Sequence, residues 1–477
     1  MSSSVGDNSL GRGGSDDNDD DDEPDMDGLL AAEDAAEEIN EEDAVMNSDD
    51  DEDEVILHND AIAYFDLAPD SLFAIAQHPQ RHSLIAVGGS GGRSDDAPGL
   101  GWIFDAERRP VLPPSYHARP SSLDSLGTLD GHSDSISALS WTLPHGQVLL
   151  SAGLDGRLRA WNTVVAEEGG NTTLSLLAEA REVDEINWLA PCPDSASHPG
   201  VMALGASDGS VWVYDVSSEE EPLRILQSYY LHTASCTAGA WSLDGNLLAT
   251  VSEDGSLCVW DVWHLFADAG LRAEAGGGLA AVSLTTADQR FAVDGGLFSV
   301  AMDPGGAFVA VGGAAGAIRI VSLPRLSPGA SPSSAGQVLA SLCSQSDSIE
   351  SLATTRTSST TLLAAGSVDG SIAIFDATRR FSLRRLIHSA HQGLSVVHVD
   401  FVPSSSSEWL LDSCGLDGVL RRWDLRSADH HHGPLREWRG HRGGDDGAGG
   451  VLGFVRGPGG HPIVTAGDDG LALVFVV

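Results

Sequence analysis

One short unit recurs along this chain and decides most of what it can fold into. In "TVSEDGSLCVWD" (250–261) an apolar run meets an Asp-Gly turn, and a second run ends in an aromatic and Asp. Asp and Gly tolerate the backbone angles of a tight turn, so the unit reads as strand, turn, strand. The same unit stands at 151–162, 204–215, 310–322, 364–376, 413–424 and 465–476, with a degenerate copy at 86–105 that carries an insertion in its turn. Asp-Gly pairs begin at 155, 208, 254, 369, 417 and 469, and Gly316 marks the turn that lost its Asp. The spacing is mostly 46–53 residues, and Gly/Ala and Ser/Pro insertions at 268–282 and 324–337 account for the longer intervals. Another short strand precedes each unit, as in "SISALSW", "SCTAGAW" and "SVVHVDF". One such sheet cannot bury both of its faces. Eight packed radially can.

Charge separates the chain into two parts. Residues 1–60 hold 24 acidic side chains against one Arg, so they supply −23 of a formal net charge of −44. Runs such as "SDDNDDDDEPDMD" cannot bury enough apolar surface to offset chain entropy, and residues 1–54 read as a disordered acidic tail. The body is acidic too, and every formal positive charge is an Arg, since the chain has no Lys. A surface of this sign repels nucleic acid and anionic membrane and attracts basic proteins. Five scattered Cys (192, 236, 258, 343, 414) form no CxxC pair, which argues against a zinc site and a disulfide framework. No apolar signal core and no membrane-length stretch is present, so the expected compartment is the cytoplasm, with the nucleus as a second.

The repeats resemble the WD40 family. Gly131-His132 with Asp155-Gly156 and Trp161 carry the resemblance, as do His232 with Asp254 and Trp260-Asp261, and Gly440-His441 with Asp469-Gly470. The resemblance implies an all-β, eight-bladed WD40 β-propeller over residues 55–477, behind the disordered acidic N-terminal tail. It also implies hydrogen-bonded tetrads: His132, Ser151, Asp155 and Trp161 in blade 2, and His232, Thr250, Asp254 and Trp260 in blade 4. In blade 7, Ser413, Asp417 and Trp423 match, with His388 or His391 as the histidine. Blade 8 has His441, Thr465 and Asp469, but Phe475 in place of Trp. The last unit ends on its third strand, so residues 61–67 are expected to complete blade 8 and leave no free sheet edge.

No catalytic arrangement, cofactor or metal site is expected. "GGSGGR" and "GGAAGA" imitate phosphate loops, but each sits in a blade turn without a following helix or GK[ST]. "DHHHG" (429–433) reads as a loop, since three adjacent His cannot easily face one ion. The informative feature is the loop leading into each innermost strand. These loops carry Asp70, Asp134, Glu182, Asp184, Glu185, Asp294, Asp347, Glu350, Asp445 and Asp446, with Arg181 and Arg442 as the nearby positives. Blades 4 and 7 lack an acid there. Carboxylates around one opening would steer and hold a basic peptide in a salt-sensitive way.

Within the WD40 family, "REVDEINWLAP", "SDSIESL", "AAGSVDGSIAIFD" and "SCGLDGVLRRWDLR" are similar to the branch formed by angio-associated migratory cell protein and its yeast counterpart. That resemblance implies a chaperone for large-subunit ribosomal protein uL-sixteen, which captures the client's basic N-terminal segment. The implied partner is thus a basic protein segment, bound by a monomer with no direct contact to nucleic acid or membrane. Two alternatives stay open. "WDLR" (Trp423 to Arg426) fits a short signature by which some propellers dock on cullin adaptors, and a general signalling scaffold has no specific signature at all.

Overall fold

A computed structural model describes residues 59–476 except 95, 108–120, 165–172, 218–220, 266–279, 326–334, 404–407, 427–432, 444–448 and 461. The tail expected at 1–54, the "DHHHG" histidines, and Asp445 and Asp446 lie outside the described residues.

Eight antiparallel sheets are present, each starting from an innermost strand and working outward. Blade 1 consists of Leu72–Gln77, Leu84–Ser90, Gly99–Asp105 and Ser125–His132. Blades 2 to 7 repeat that order, from innermost strand Ile136–Trp141 to outermost strand Arg436–Arg439. Blade 8 takes Val451–Arg456, Ile463–Gly467 and Ala472–Phe475 from the end of the chain. Its fourth strand is Ala63–Phe65, with Ala63 opposite Val474. Ser121–Ser122 adds a short parallel fifth strand that no turn signal marks. Each innermost strand neighbours the next, and Leu72–Gln77 neighbours Val451–Arg456, so the ring is closed.

The turn glycines show why the unit repeats as it does. Gly156 has φ +72°, the left-handed region, and a Cβ there would lie 2.1 Å from the Val183 carbonyl of the next blade. The turn therefore needs Gly for its angle and for close blade packing. The Gly-rich 312–317 stretch is a turn of the same kind. A single 3-10 turn, Ala314–Gly316, joins two strands, and no helix follows.

Short polar side chains tie blades 2 to 7 together near the axis. Ser137 Oγ donates to the Ile186 carbonyl (2.5 Å) and Asn187 Nδ2 to that of Cys236 (2.9 Å). Thr237 Oγ1 donates to Leu297 (2.7 Å), Ser299 Oγ to Ile349 (2.7 Å), and the Val399 N–H to Ser351 Oγ (3.0 Å). Blades 7 and 8 use charge instead. Asp412, fully buried, accepts from Arg422 (2.6 and 2.8 Å) and from Arg456 (3.1 Å), and Arg456 also reaches Asp400.

Within blades, histidine tetrads stitch the layers. In blade 2, the Trp161 indole donates to Ser151 Oγ (2.9 Å), which leaves the serine hydroxyl to donate to His132 Nε2 (2.8 Å). That assigns the ring proton to Nδ1, 3.1 Å from Asp155. Burial alone would raise the Asp155 carboxyl, but hydrogen bonds from His132, Ser133 and Arg157 outweigh it and hold it at about 2. Blade 7 uses His391, not His388, with Asp417 and Ser413 at 2.8 Å each and the Trp423 indole on Ser413. In blade 8, His441 joins Asp469 (2.9 Å) and Thr465 (2.8 Å).

Blade 4 departs from the implied pattern. His232 bonds Thr250 (2.8 Å), but its Nδ1 meets Ser256 Oγ (2.6 Å) and not Asp254. Asp254 is occupied by the N–H and hydroxyl of Thr233 and the N–H of Ser256, so the serine relays between ring and carboxylate. Blade 6 puts Gln345 where the histidine would stand, its amide donating to Ser371 and Ala365.

Burial pushes His232 down from 6.5 to about 4, against the pull of Asp254. Its folded pKa lies below the unfolded one, so the folded state binds fewer protons between these values. The stability this neutral histidine contributes is full above pH 6.5 and is lost as pH falls toward 4. At the low end the loss is about 3 kcal/mol. His232→Gln, which copies blade 6, should lose less stability than the wild type between pH 7 and 4 in denaturant titrations. Equal acid sensitivity of the two proteins would contradict this.

Candidate functional site

Strand direction alternates, so the loops leading into the innermost strands and the turns between second and third strands share one face. A hydrogen bond repeated in all eight blades fixes this arrangement. A turn N–H donates to the carbonyl just before the innermost strand: Ser90 to Ser71, Leu154 to Ser135, Ser207 to Glu185, Glu253 to Ser235, Ala314 to Gly296, Val368 to Ser348, Leu416 to Ser395 and Asp468 to Gly450, all at 2.9–3.2 Å.

On this face Glu182, Asp184, Glu185, Asp294, Asp347 and Glu350 are exposed, while Asp70 and Asp134 are half-buried. Asp134 accepts from the Ser135 N–H (2.6 Å) and Asp347 from the Ser348 N–H (2.7 Å), which aims both carboxylates. Glu350 is the second residue of its innermost strand, Ile349–Arg356, at an irregular register position. Its carboxyl is raised, by desolvation first and then by the charge of Asp347. The turns add Asp208 and Glu253, both exposed, which a reading confined to the lead-in loops misses. Their signal in the sequence is the turn position itself, once the shared face is known.

Arg neutralises several other acids of the body: Arg157 and Arg159 on Glu179, Arg224 on Asp215, Arg421 on Asp417 and Glu437, Arg422 and Arg456 on Asp412. Among the described residues, none of Asp70, Asp134, Glu182, Asp184, Glu185, Asp294, Asp347 or Glu350 has an ion-pair partner. Eight carboxylates without ion-pair partners, gathered on one face, give that face a negative potential. Exposed Arg93, Arg181 and Arg442 lie on the same side but do not balance it.

The face presents recognition chemistry. Among the described residues no group of three or more His, Cys, Asp or Glu is arranged to hold a metal ion. Trp423 of "WDLR" is spent in the blade 7 tetrad, and the exposed Arg426 fork closes on Asp424 (3.0 and 2.9 Å).

Comparison with known proteins matches this architecture. The family described as "WD domain, G-beta repeat" covers residues 123–162 and 223–261. Ribosome assembly protein SQT1 of Saccharomyces cerevisiae is 30% identical over 213 residues, which span 44% of this chain and 43% of the yeast protein, so less than half of that relative is matched. The crystal structure of Chaetomium thermophilum Sqt1 is 53% identical and superposes with a TM-score of 0.79 over 88% of this chain and 98% of that one. A further structure of the Chaetomium protein, bound to the N-terminus of ribosomal protein L10, is 52% identical with a TM-score of 0.79, over 88% of this chain and all of the other. With more than half its aligned residues identical along almost the whole of the Chaetomium chain, and the same ring of blades, this protein belongs to the Sqt1 family of WD40 propellers.

Proposed function

We propose that this protein is a non-enzymatic ribosome-assembly chaperone that captures the basic N-terminal segment of a large-subunit ribosomal protein on its acidic face. The observation that carries the reading is the gathering of eight unpaired carboxylates on the face of lead-in loops and turns. The Chaetomium relative bound to the N-terminus of ribosomal protein L10 supports the choice of client. A basic segment lying across the face would gain charge-assisted contacts from several blades at once. Steering by the wider negative field would raise its association rate.

The test is a calorimetric titration of the full chain with the L10 N-terminal peptide. One-to-one binding is expected, weakening steeply between about 0.1 M and about 1 M salt, where the screening length falls from about 10 Å to about 3 Å. Salt-independent binding, or none by a folded protein, would remove the reading. The ligase-receptor alternative is tested by co-purification with a cullin adaptor, which this reading expects not to occur.

A further inference from the structure

The acidic face is not uniform. The blade 4 lead-in loop carries no carboxylate, and Tyr230 and Leu231 stand there instead, 64% and 41% exposed. The Tyr230 ring meets Trp212 edge-on, centroids 5.8 Å apart at 82°. The Trp212 indole donates to Ser210 Oγ at 2.9 Å, which fixes the supporting ring. The pair borders the densest carboxylate group. Trp212 packs on the apolar cluster between blades 2 and 3 that contains Val183, the residue between Glu182 and Asp184. The blade 3 turn wedges between the two loops: the Ser207 N–H donates to the Glu185 carbonyl (3.1 Å), and a Cβ on Gly209 would sit 2.6 Å from the Ala234 carbonyl.

An exposed aromatic face beside several unpaired carboxylates suits one cation better than another. A guanidinium is planar and weakly hydrated. It can stack on the tyrosine ring while its edge donates to a carboxylate. A lysine ammonium is compact and strongly hydrated and gains less from the ring. We infer that the corner formed by Tyr230 and Trp212 beside Glu182, Asp184 and Glu185 is an arginine-selective subsite for the client segment. This rests on reading the acidic face as the client site, and adds that the client is recognised by arginine and not by charge alone.

The probes are two peptides of equal charge: the L10 N-terminal peptide and the same peptide with every Arg replaced by Lys. Each is titrated against the full chain, Tyr230→Leu and Tyr230→Phe. Tyr230 is largely exposed, so all three proteins should melt alike. The wild type and Tyr230→Phe should prefer the Arg peptide by roughly five- to thirtyfold. Tyr230→Leu should bind the two peptides nearly equally, with unchanged salt sensitivity, because no charge has been removed. Equal binding of both peptides by the wild type, or a preference that survives in Tyr230→Leu, would overturn the inference while leaving the acidic-face reading intact. Failure of the wild type to bind either peptide would overturn both.

Discussion

The double variant Asp184→Arg with Glu185→Arg should lose at least about a hundredfold in affinity for the L10 N-terminal peptide at low salt. Both side chains are exposed and unpaired, so the substitution breaks no internal contact, and the variant should melt with the wild type. The change converts two attractive charges into two repulsive ones, in the sector where the lead-in loop already holds Glu182. Placing like charges across an interface costs several kcal/mol, more than removing the attraction alone. The residual binding should also be less sensitive to salt, because fewer favourable charge contacts remain to be screened. Titration of wild type and variant in parallel checks both points. Unchanged affinity in a folded variant would move the binding site off this face.

Asp412→Ala should destabilise the propeller by about 3–5 kcal/mol. Asp412 is fully buried and receives two hydrogen bonds from Arg422 and one from Arg456. Arg422 and Arg456 are themselves almost wholly buried at the junction of blades 7 and 8. Removing the carboxylate leaves two guanidiniums in a low-dielectric interior, with Asp400 and the Phe401 carbonyl in reach of Arg456. The penalty is mostly the stranded charge and not the lost attraction. Replacing Asp412, Arg422 and Arg456 together by apolar residues of similar volume should therefore recover much of the loss. Urea unfolding of the single and triple variants measures both effects. A single variant within 1 kcal/mol of wild type, a margin typical of exposed ion pairs, would show that the network is solvated and not buried.

The eight-bladed ring was legible because its signals are local. An Asp-Gly turn between an apolar and an alternating strand needs only its own residues, and it recurs often enough to count blades. What escaped the sequence depends on register and on which side chain arrives first. Ser256 comes between His232 and Asp254 because its hydroxyl lies nearer the ring, and nothing in "SEDGSL" marks that competition. Gln345 takes a histidine's place with a different bonding pattern. The triad of Asp412 with Arg422 and Arg456 joins three strands in two blades, so no window of sequence contains it. The acids of the lead-in loops could be read from topology, but the absence of partners around them could not. Tyr230 reads in the sequence as one more apolar residue ending a strand. Its exposure, which the strand pattern does not reveal, is what the subsite proposal uses.

The central claim is that a basic client segment lies across the face of lead-in loops and turns. The most direct measurement repeats the salt titration with an L10 N-terminal peptide that carries a photo-crosslinker, and maps the adducts by mass spectrometry. Adducts on residues 182–185, 207–209 and 346–350, lost at high salt, are the predicted result. Adducts confined to the opposite face, at residues 142–147, 242–246 or 303–306, would contradict the account.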